Sequence, residues 1–348
     1  MAPERLDYVA IVATRNRPEA LALSLPLLLG QTRPPAEIIV VDSSNDHAAV
    51  ARVVEAATAG AKVAVQLIHT DPSSSRQRNI GIANSTAPIL LFPDDDSLLF
   101  PDTAERIMAV YERDIDARLA AVGGAQADRP PPGVDLDIAP GDADTGALTA
   151  AITAVRLWID RALTWTSPFE YIGRRLNAQR TAPDWLEEAH CVPVSYVTGF
   201  RMSFRRSALE GFDETLSRYA WFEDVDAHFG AMQHGLVVAC LEAPIYHHRF
   251  PGARGDGRSV GRWALLNRAY VAMKAARANS AVFSPGGEAW RVRLHGLVRV
   301  LAYLPGARSA FGRARLRGAA EGWWRMGPLL RAGPDGLAAA YRAASRDR

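Results

Sequence analysis

Three consecutive aspartates, Asp94-Asp95-Asp96, follow the apolar run Ala87–Phe92, and a second acidic group, Glu223-Asp224-Val225-Asp226, lies far downstream. Like charges crowded at the end of a buried strand repel one another unless a cation answers them. Carboxylate oxygens suit Mg2+ or Mn2+, ions that commonly hold a substrate diphosphate through one or two protein carboxylates. The pair His247-His248 could complete such a site, because neutral imidazole is a good Mn2+ ligand. Asp224 could instead accept a proton from an attacking hydroxyl as a general base. Each cluster also has a plainer reading. Asp94–Asp96 would suit a solvated turn capping a helix over Ser97–Arg106, Glu223–Asp226 an ordinary helix N-terminus, and the histidines a polar strand end.

The elements that must position these groups alternate. Tyr8–Ala13, Glu37–Val41, Val63–Ile68 and Ala87–Phe92 read as strands, with helices over Ala20–Leu29 (beginning near Pro18), Ala48–Ala59 and Ile80–Asn84 between them. Strand and helix in turn predict an α/β fold with a mostly parallel twisted sheet flanked by helices. Such sheets bind ligands beyond the carboxyl ends of their strands. Those ends carry Thr14-Arg15-Asn16-Arg17-Pro18, Asp42-Ser43-Ser44-Asn45-Asp46 and the aspartate run. Further on, a helix is expected over Asp102–Leu119 and a strand over Ala120–Gly123. An irregular loop is expected over Arg129–Thr145, a helix over Ala147–Leu163, extended chain over Val192–Phe204 and a strand over Leu236–Tyr246. From Trp263 onward the pattern is helical. No Gly-x-Gly-x-x-Gly follows the first strand and no Gly-x-x-x-x-Gly-Lys-Ser/Thr occurs, so dehydrogenase and P-loop readings lose their main support.

Seven stretches in order resemble the family 2 nucleotide-sugar glycosyltransferases of the GT-A fold. They are Val12–Pro18, Ile39–Asp46, Ser75–Gly81, Leu90–Asp96, Gly199–Arg206, Gly211–Glu214 and Glu223–Asp226, spread over about Tyr8–His248. The resemblance implies a nucleoside diphosphate sugar donor (UDP, dTDP or GDP sugar), Mn2+ or Mg2+, inversion at the anomeric carbon, and a glycan, lipid-linked or small-molecule acceptor. It implies that Thr14, Arg15 and Arg17 meet the nucleotide, that Asp42 hydrogen-bonds the base, and that Arg76 and Asn79 flank the nucleotide sugar. Asp94, Asp95 and Asp96 fall in the acidic motif, with Asp94 and Asp96 on the metal. Asp224 aligns with the catalytic base and His247 with a further metal ligand, His248 being its competitor. Ser259 stands where processive relatives have the Gln of Gln-x-x-Arg-Trp, ahead of Arg262-Trp263, so one sugar per encounter is expected.

On this reading residues 1–265 form the GT-A domain, divided into a nucleotide-sugar half (1–123), an insertion (124–190) and an acceptor half (191–265). Residues 266–348 form a basic helical extension. Arg291–Arg348 holds twelve Arg, no Lys and three acids, a net of +9 within a chain whose total is +2. Trp290, Phe311, Trp323 and Trp324 interleave with these arginines. A cap that packs its aromatics inward is the preferred reading, and a peripheral contact with an anionic membrane face the alternative. No nucleic-acid motif accompanies the charge. Arg249–Arg262, with four glycines and four arginines, reads either as a loop closing over a diphosphate or as a mobile surface loop.

Cys191 and Cys240 are too far apart in sequence for a zinc or redox motif and read as small core residues. The acid-bearing start, Met1–Asp7, shows no secretory signal, and no window approaches the roughly 18 apolar residues of a membrane span. A cytoplasmic enzyme, in contact at most with the inner membrane face, is expected. Two rivals remain. A nucleotidyltransferase would carry a glycine-rich basic loop after its first strand, where Ala13–Arg17 has no glycine. An inactive sugar-nucleotide or glycan-binding relative would tolerate loss of the acids, and the acids are intact.

Overall fold

The computed structural model describes residues 5–134, 136, 161–216, 221–250 and 255–346. The chain divides into two compact units, one of residues 1–134 with 173–252, the other of 135–172 with 253–348.

Among the described residues the first unit is built on a nine-stranded sheet. β1 (Tyr8–Thr14), β2 (Glu37–Asp42), β3 (Ala64–His69) and β4 (Ile89–Phe92) lie in the order β3-β2-β1-β4 and pair in parallel. Tyr8–Val12, Ile38–Val41 and Ile89–Phe92 are buried without a break, as expected of strands covered on both faces. The covering helices are α1 (Pro18–Leu29), α2 (His47–Thr58) and α3 (Ser74–Ala83).

Beyond β4 the sheet is mixed. β5 (Ser97–Leu99), α4 (Thr103–Arg113), β6 (Leu119–Ala127), α5 (Pro168–Asn177), β7 (Cys191–Pro193), β8 (Met202–Arg205), α6 (Glu223–Ala231) and β9 (Leu236–His247) follow in the chain. β8 is antiparallel to both β4 and β6, β6 is parallel to β9, and β5 and β7 run antiparallel to β9. The expected parallel arrangement thus covers the first half and gives way where β8 inserts beside β4. One core joins the halves, from Val12, Leu25 and Val40 to Tyr111, Phe200, Val238 and Ile245.

Four local expectations are corrected. Ser97–Leu99 is a strand, not the start of a helix over Ser97–Arg106. The helix expected to reach Leu119 ends at Arg113, where Asp114 turns its carboxylate onto the Arg118 and Leu119 amides and Ala117 adopts φ +52°. The short helix over Ile80–Asn84 begins earlier, at Ser74, capped by Ser73. Val192–Phe204 is broken between β7 and β8 by a tight turn at Gly199–Arg201. Cys191 and Cys240 are both buried as expected, yet they are register partners across β7 and β9, so distance in sequence misjudged their proximity.

In the second unit α7 (Gly257–Ala278), α8 (Pro285–Ala302), α9 (Ala310–Arg325), α10 (Gly327–Arg331) and α11 (Leu337–Ser345) follow one another. The glycine-rich segment is half helical: Asp256 caps α7, which therefore starts before Trp263, and residues 265 and 266 lie inside it. Gly261 and Gly318 are helix contacts, since a Cβ would lie 2.0 Å from the Arg315 carbonyl oxygen at Gly261 and 1.8 Å from that of Arg258 at Gly318. Arg258 pairs with Glu321, and Arg262 is buried. Residues 251–254, including Gly252 and Arg254, lie outside the described residues, as do most of the loop expected over Arg129–Thr145 and of the helix over Ala147–Leu163.

The aromatics do not all pack inward. Trp323 lies under Arg293 and donates its indole N–H to the Arg293 carbonyl, whereas Trp290, Phe311 and Trp324 are exposed. Among the described residues no helix is long and apolar enough to cross a membrane.

Candidate active site

The candidate nucleotide, metal and base residues, from Thr14 to His247, all lie in the first unit. Thr14 ends β1 fully buried and donates its hydroxyl to Asp95 Oδ2 at 2.7 Å. The next turn passes through Asn16 at φ +52°, a left-handed conformation that asparagine tolerates. Its amide bonds Ser44 Oγ and its side chain receives the Asn45 amide, tying the loops after β1 and β2 together. Gln77 on α3 donates to the Thr14 and Val41 carbonyls and fastens the same two strand ends. Arg15 is half-buried beside Thr14. Arg17 reaches both Asp95 Oδ1 at 2.8 Å and Asp96 Oδ2 at 3.1 Å.

The aspartate run is a tight turn between β4 and β5. Asp94 continues the parallel pairing as a bridge to Ala13, and Ser97 closes the turn with its amide on the Asp94 carbonyl and its hydroxyl on the Asp94 amide. The register of β5 on β9 sets Ser97 opposite His247. His247 Nε2 consequently stands 3.2 Å from Asp96 Oδ1, its ring stacked on Phe200 at 4.5 Å. The donor atoms of Asp94, Asp96 and His247 all lie within 4.8 Å of one another. His248 instead gives its amide to the Asp96 carbonyl and sets its ring against Phe250. Two carboxylates and an imidazole are a donor set that suits Mn2+ or Mg2+.

Burial pushes the Asp95 carboxyl up to about 7 despite Arg17, so it can hold a proton where Asp96 does not. Burial also opposes ionisation of Asp96, but the His247 hydrogen bond and charge, Arg17 and the Phe250 amide outweigh it and hold this carboxyl below its usual range.

A second acidic group closes on the first through Arg78. This guanidinium, buried on α3, bonds Asp94 Oδ1 at 3.0 Å and Glu223 Oε1 at 2.5 Å. Glu223 and Asp224 open α6, whose preceding residue Phe222 is held at φ +83°, a conformation a bulky side chain reaches at a cost of about 1–3 kcal/mol. Asp224 Oδ2 accepts the Gly199 amide at 2.8 Å. Burial and the neighbouring Glu223 charge push its carboxyl up to about 7, with Arg78 opposing them. His228 meets the Asp224 carbonyl at 2.6 Å and is fully buried, which pushes it down to about 4 and keeps it neutral.

Arg76 and Asn79, on the same helix as Arg78, meet the 212–214 segment. Arg76 pairs with Glu214 at 3.1 Å, and Asn79 clasps Phe212 through its backbone amide and carbonyl. Asp42, fully buried at the end of β2, accepts from the Ser44 amide and lies 2.7 Å from His47 Nδ1. Sequence reading quoted Arg78 and Glu223 within their motifs but gave neither a role of its own. Their signal was available: Arg78 sits within a polar helical stretch that must face the carboxyl ends of the strands, and buried acids on two segments demand a shared cation.

Residues 9–133 match the family model described as Glycosyl transferase family 2. The matched stretch carries β1 to β6 and with them Thr14, Arg17, Arg78 and the aspartate run. A curated Haemophilus influenzae protein described as an uncharacterized glycosyltransferase is 31% identical over 103 residues, 30% of this chain. The match spans about a third, 34%, of that relative's length. A mannosyltransferase from Pyrobaculum calidifontis, solved with GDP-Man and Mn2+, aligns over 98% of this chain and 86% of its own at 17% identity and a TM-score of 0.48. GalNAc-T7, solved with UDP, GalNAc and Mn2+, aligns over 80% of this chain and 52% of its own at 13% identity and a TM-score of 0.48. S. aureus TarS 1–349 aligns over 98% and 90% at 14% identity and a TM-score of 0.44. The likeness to this family rests on the matched sequence of residues 9–133.

Proposed function

We propose that the chain transfers a glycosyl group from a nucleoside diphosphate sugar to an acceptor hydroxyl, with inversion and one sugar per encounter. The observation that carries this reading is the convergence of two acidic segments, Asp94–Asp96 and Glu223-Asp224, joined by the buried Arg78 at 3.0 and 2.5 Å. Breaking the bond from the anomeric carbon to phosphate places negative charge on the departing diphosphate. A divalent cation held by Asp94, Asp96 and His247 would supply Lewis-acid stabilisation of that charge. Arg17 and Thr14 fix Asp95 and Asp96 so that the acidic turn keeps its shape before the donor arrives. Arg15 and Asp42, at the ends of neighbouring strands, are assigned to the nucleotide.

Asp224 takes the proton from the attacking hydroxyl. An acid that titrates near 7 is well matched to that task, because about half of it is ionised at neutral pH and the carboxylate is basic enough to accept a proton. Direct attack on the face opposite the leaving group inverts the anomeric centre. Arg76 and Asn79, held against the 212–214 segment, are assigned to flank the nucleotide sugar. Purified protein with Mn2+ should hydrolyse or transfer from at least one nucleoside diphosphate sugar in a broad panel. Metal-dependent nucleotide binding without any turnover would favour the binding-protein reading instead, and pyrophosphate release from a nucleoside triphosphate the nucleotidyltransferase one.

A glycan or lipid-linked acceptor and peripheral contact with an anionic inner membrane face complete the proposal. Trp290, Leu297, Leu301 and Leu304 are exposed along and just after α8, at spacings that share a helix face, among arginines. Co-sedimentation with anionic but not neutral vesicles, weakened at least several-fold by Trp290→Ala with Leu301→Ala, is expected. Equal recovery with both vesicle types would exclude the contact.

A further inference from the structure

Between Glu288 and Glu321 the chain carries seven arginines and no acid. Both flanking acids are engaged, Glu288 with Arg291 and Glu321 with Arg258. Two of the arginines, on different helices of the second unit, meet at one phenol. Tyr303 directly follows α8, and its hydroxyl oxygen accepts from Nη2 of Arg299, one turn earlier, at 3.2 Å and from Nη2 of Arg315 on α9 at 3.3 Å. The Arg315 guanidinium also lies over the Tyr303 ring, 4.2 Å from its centroid. Among the described residues neither arginine forms an ion pair, the Nε of each is buried without a hydrogen-bond partner, and no acceptor takes the phenol proton. Burial opposes ionisation of Tyr303, but Arg299 and Arg315 outweigh it and hold the phenol below its usual range. Burial first, then the charges of Arg268 and Arg299, push the buried His295 ring, one turn before Arg299, down to about 2. Positive charge thus collects at this point, and among the described residues no acid answers it.

We infer that Arg299, Tyr303 and Arg315 form a binding site for a phosphate group, carried by a soluble phosphorylated compound or by a lipid headgroup. Each Nη2 keeps a second N–H beyond the one given to the phenol, and Tyr303 keeps its O–H, so three donors converge. Because both Nη2 atoms contact the same oxygen, they stand close enough for one tetrahedral anion to take a charge-assisted N–H···O bond of about 2.7–2.9 Å from each. A carboxylate offers its oxygens in one plane, whereas a phosphate offers them in a pyramid, which suits donors arriving from two helices and a ring hydroxyl. Guanidinium forks also match phosphate oxygens better than an ammonium does, in keeping with a region that has arginine and no lysine. All three side chains are half-buried, so the anion enters from solvent. The site is distinct from the apolar contact proposed for α8. At about 3.6 residues per turn, Arg299 and Tyr303 lie on the side of that helix away from Trp290, Leu297 and Leu301.

The test is a calorimetric titration of inorganic phosphate into the full chain at constant ionic strength, without metal or nucleotide. One saturable equivalent is expected at this site. Arg299→Lys combined with Arg315→Lys keeps the charge but loses the forks, and should weaken that equivalent at least tenfold. Tyr303→Phe, the milder change, should weaken it at least threefold, and Trp290→Ala with Leu301→Ala should leave it within twofold. Far-UV circular dichroism checks that the variants remain folded. Absence of saturable phosphate binding, or binding by the double Lys variant equal to the parent's, would overturn the assignment, the latter because diffuse attraction alone would then account for it. Co-sedimentation with phosphatidylcholine vesicles, with and without phosphatidic acid, distinguishes the two sources. Sedimentation that needs phosphatidic acid and fails in the double Lys variant assigns the site to a lipid headgroup, whereas phosphate binding without sedimentation assigns it to a soluble compound. The titration needs no sugar donor and no turnover, so its failure and failure of the transferase reading are separately visible.

Discussion

If Asp224 accepts the acceptor's proton, the pH dependence of transfer is dictated by what surrounds that carboxyl. Burial and Glu223 lift it to about 7, against the pull of Arg78. Only the ionised form can act as base, so kcat/KM should rise about tenfold per pH unit below 7 and level off above it, one unit corresponding to about 1.4 kcal/mol. Asp224→Asn removes the base and should cost about 10²–10⁴-fold in kcat/KM while leaving nucleoside diphosphate affinity within a factor of a few. The residual activity of the Asn variant should lose its acid limb. Arg78→Gln removes the cation that stabilises the ionised form and should move the limb to higher pH. The assay is release of nucleoside diphosphate at subsaturating donor, from pH 5.5 to 8.5. A flat profile in the parent, or an Asn variant that keeps both its rate and its limb, would refute the role of Asp224.

Other consequences follow from the same geometry. Arg78→Gln leaves Asp94 and Glu223 facing each other without their cation and should cost about 3–5 kcal/mol, read by urea denaturation; a loss below 1 kcal/mol would show that the pair is solvated. Gly173→Ala would set a Cβ 2.1 Å from the Ser195 carbonyl oxygen, beneath the segment leading to Gly199, and should destabilise by about 1–3 kcal/mol. Asp95 and Asp224 are raised from 3.8 to about 7, so their contribution is complete below the unfolded value and disappears as pH rises through 7. Metal-free protein should therefore show Tm falling between pH 5 and 8, and an increase over that range would mean that the two carboxyls are ionised without cost.

The parallel half of the sheet was legible because β1, β2 and β4 are uninterrupted apolar runs, and a strand buried on both faces has no other appearance. Asp94–Asp96 stood out by charge density alone. β5 did not: its three residues are strand only because β9, far along the chain, pairs with them. The same pairing sets His247 against Asp96, a relation that no local pattern carries. The early start of α3 was hidden because its buried face is polar: Ser75, Gln77 and Arg78 are buried there, Gln77 satisfied by strand ends and Arg78 by acids from distant segments. Gly261 looked like loop flexibility and is instead a close helix contact, a distinction that depends on knowing what packs against it.

Calorimetric titration of a nucleoside diphosphate into the protein, with and without Mn2+, tests most directly whether the two acidic segments serve one cation-bridged pyrophosphate. Binding should tighten at least tenfold with Mn2+ in the parent and lose that dependence in Asp96→Ala and His247→Ala. Equal affinity with and without the metal, or an undiminished metal effect in both variants, would contradict it.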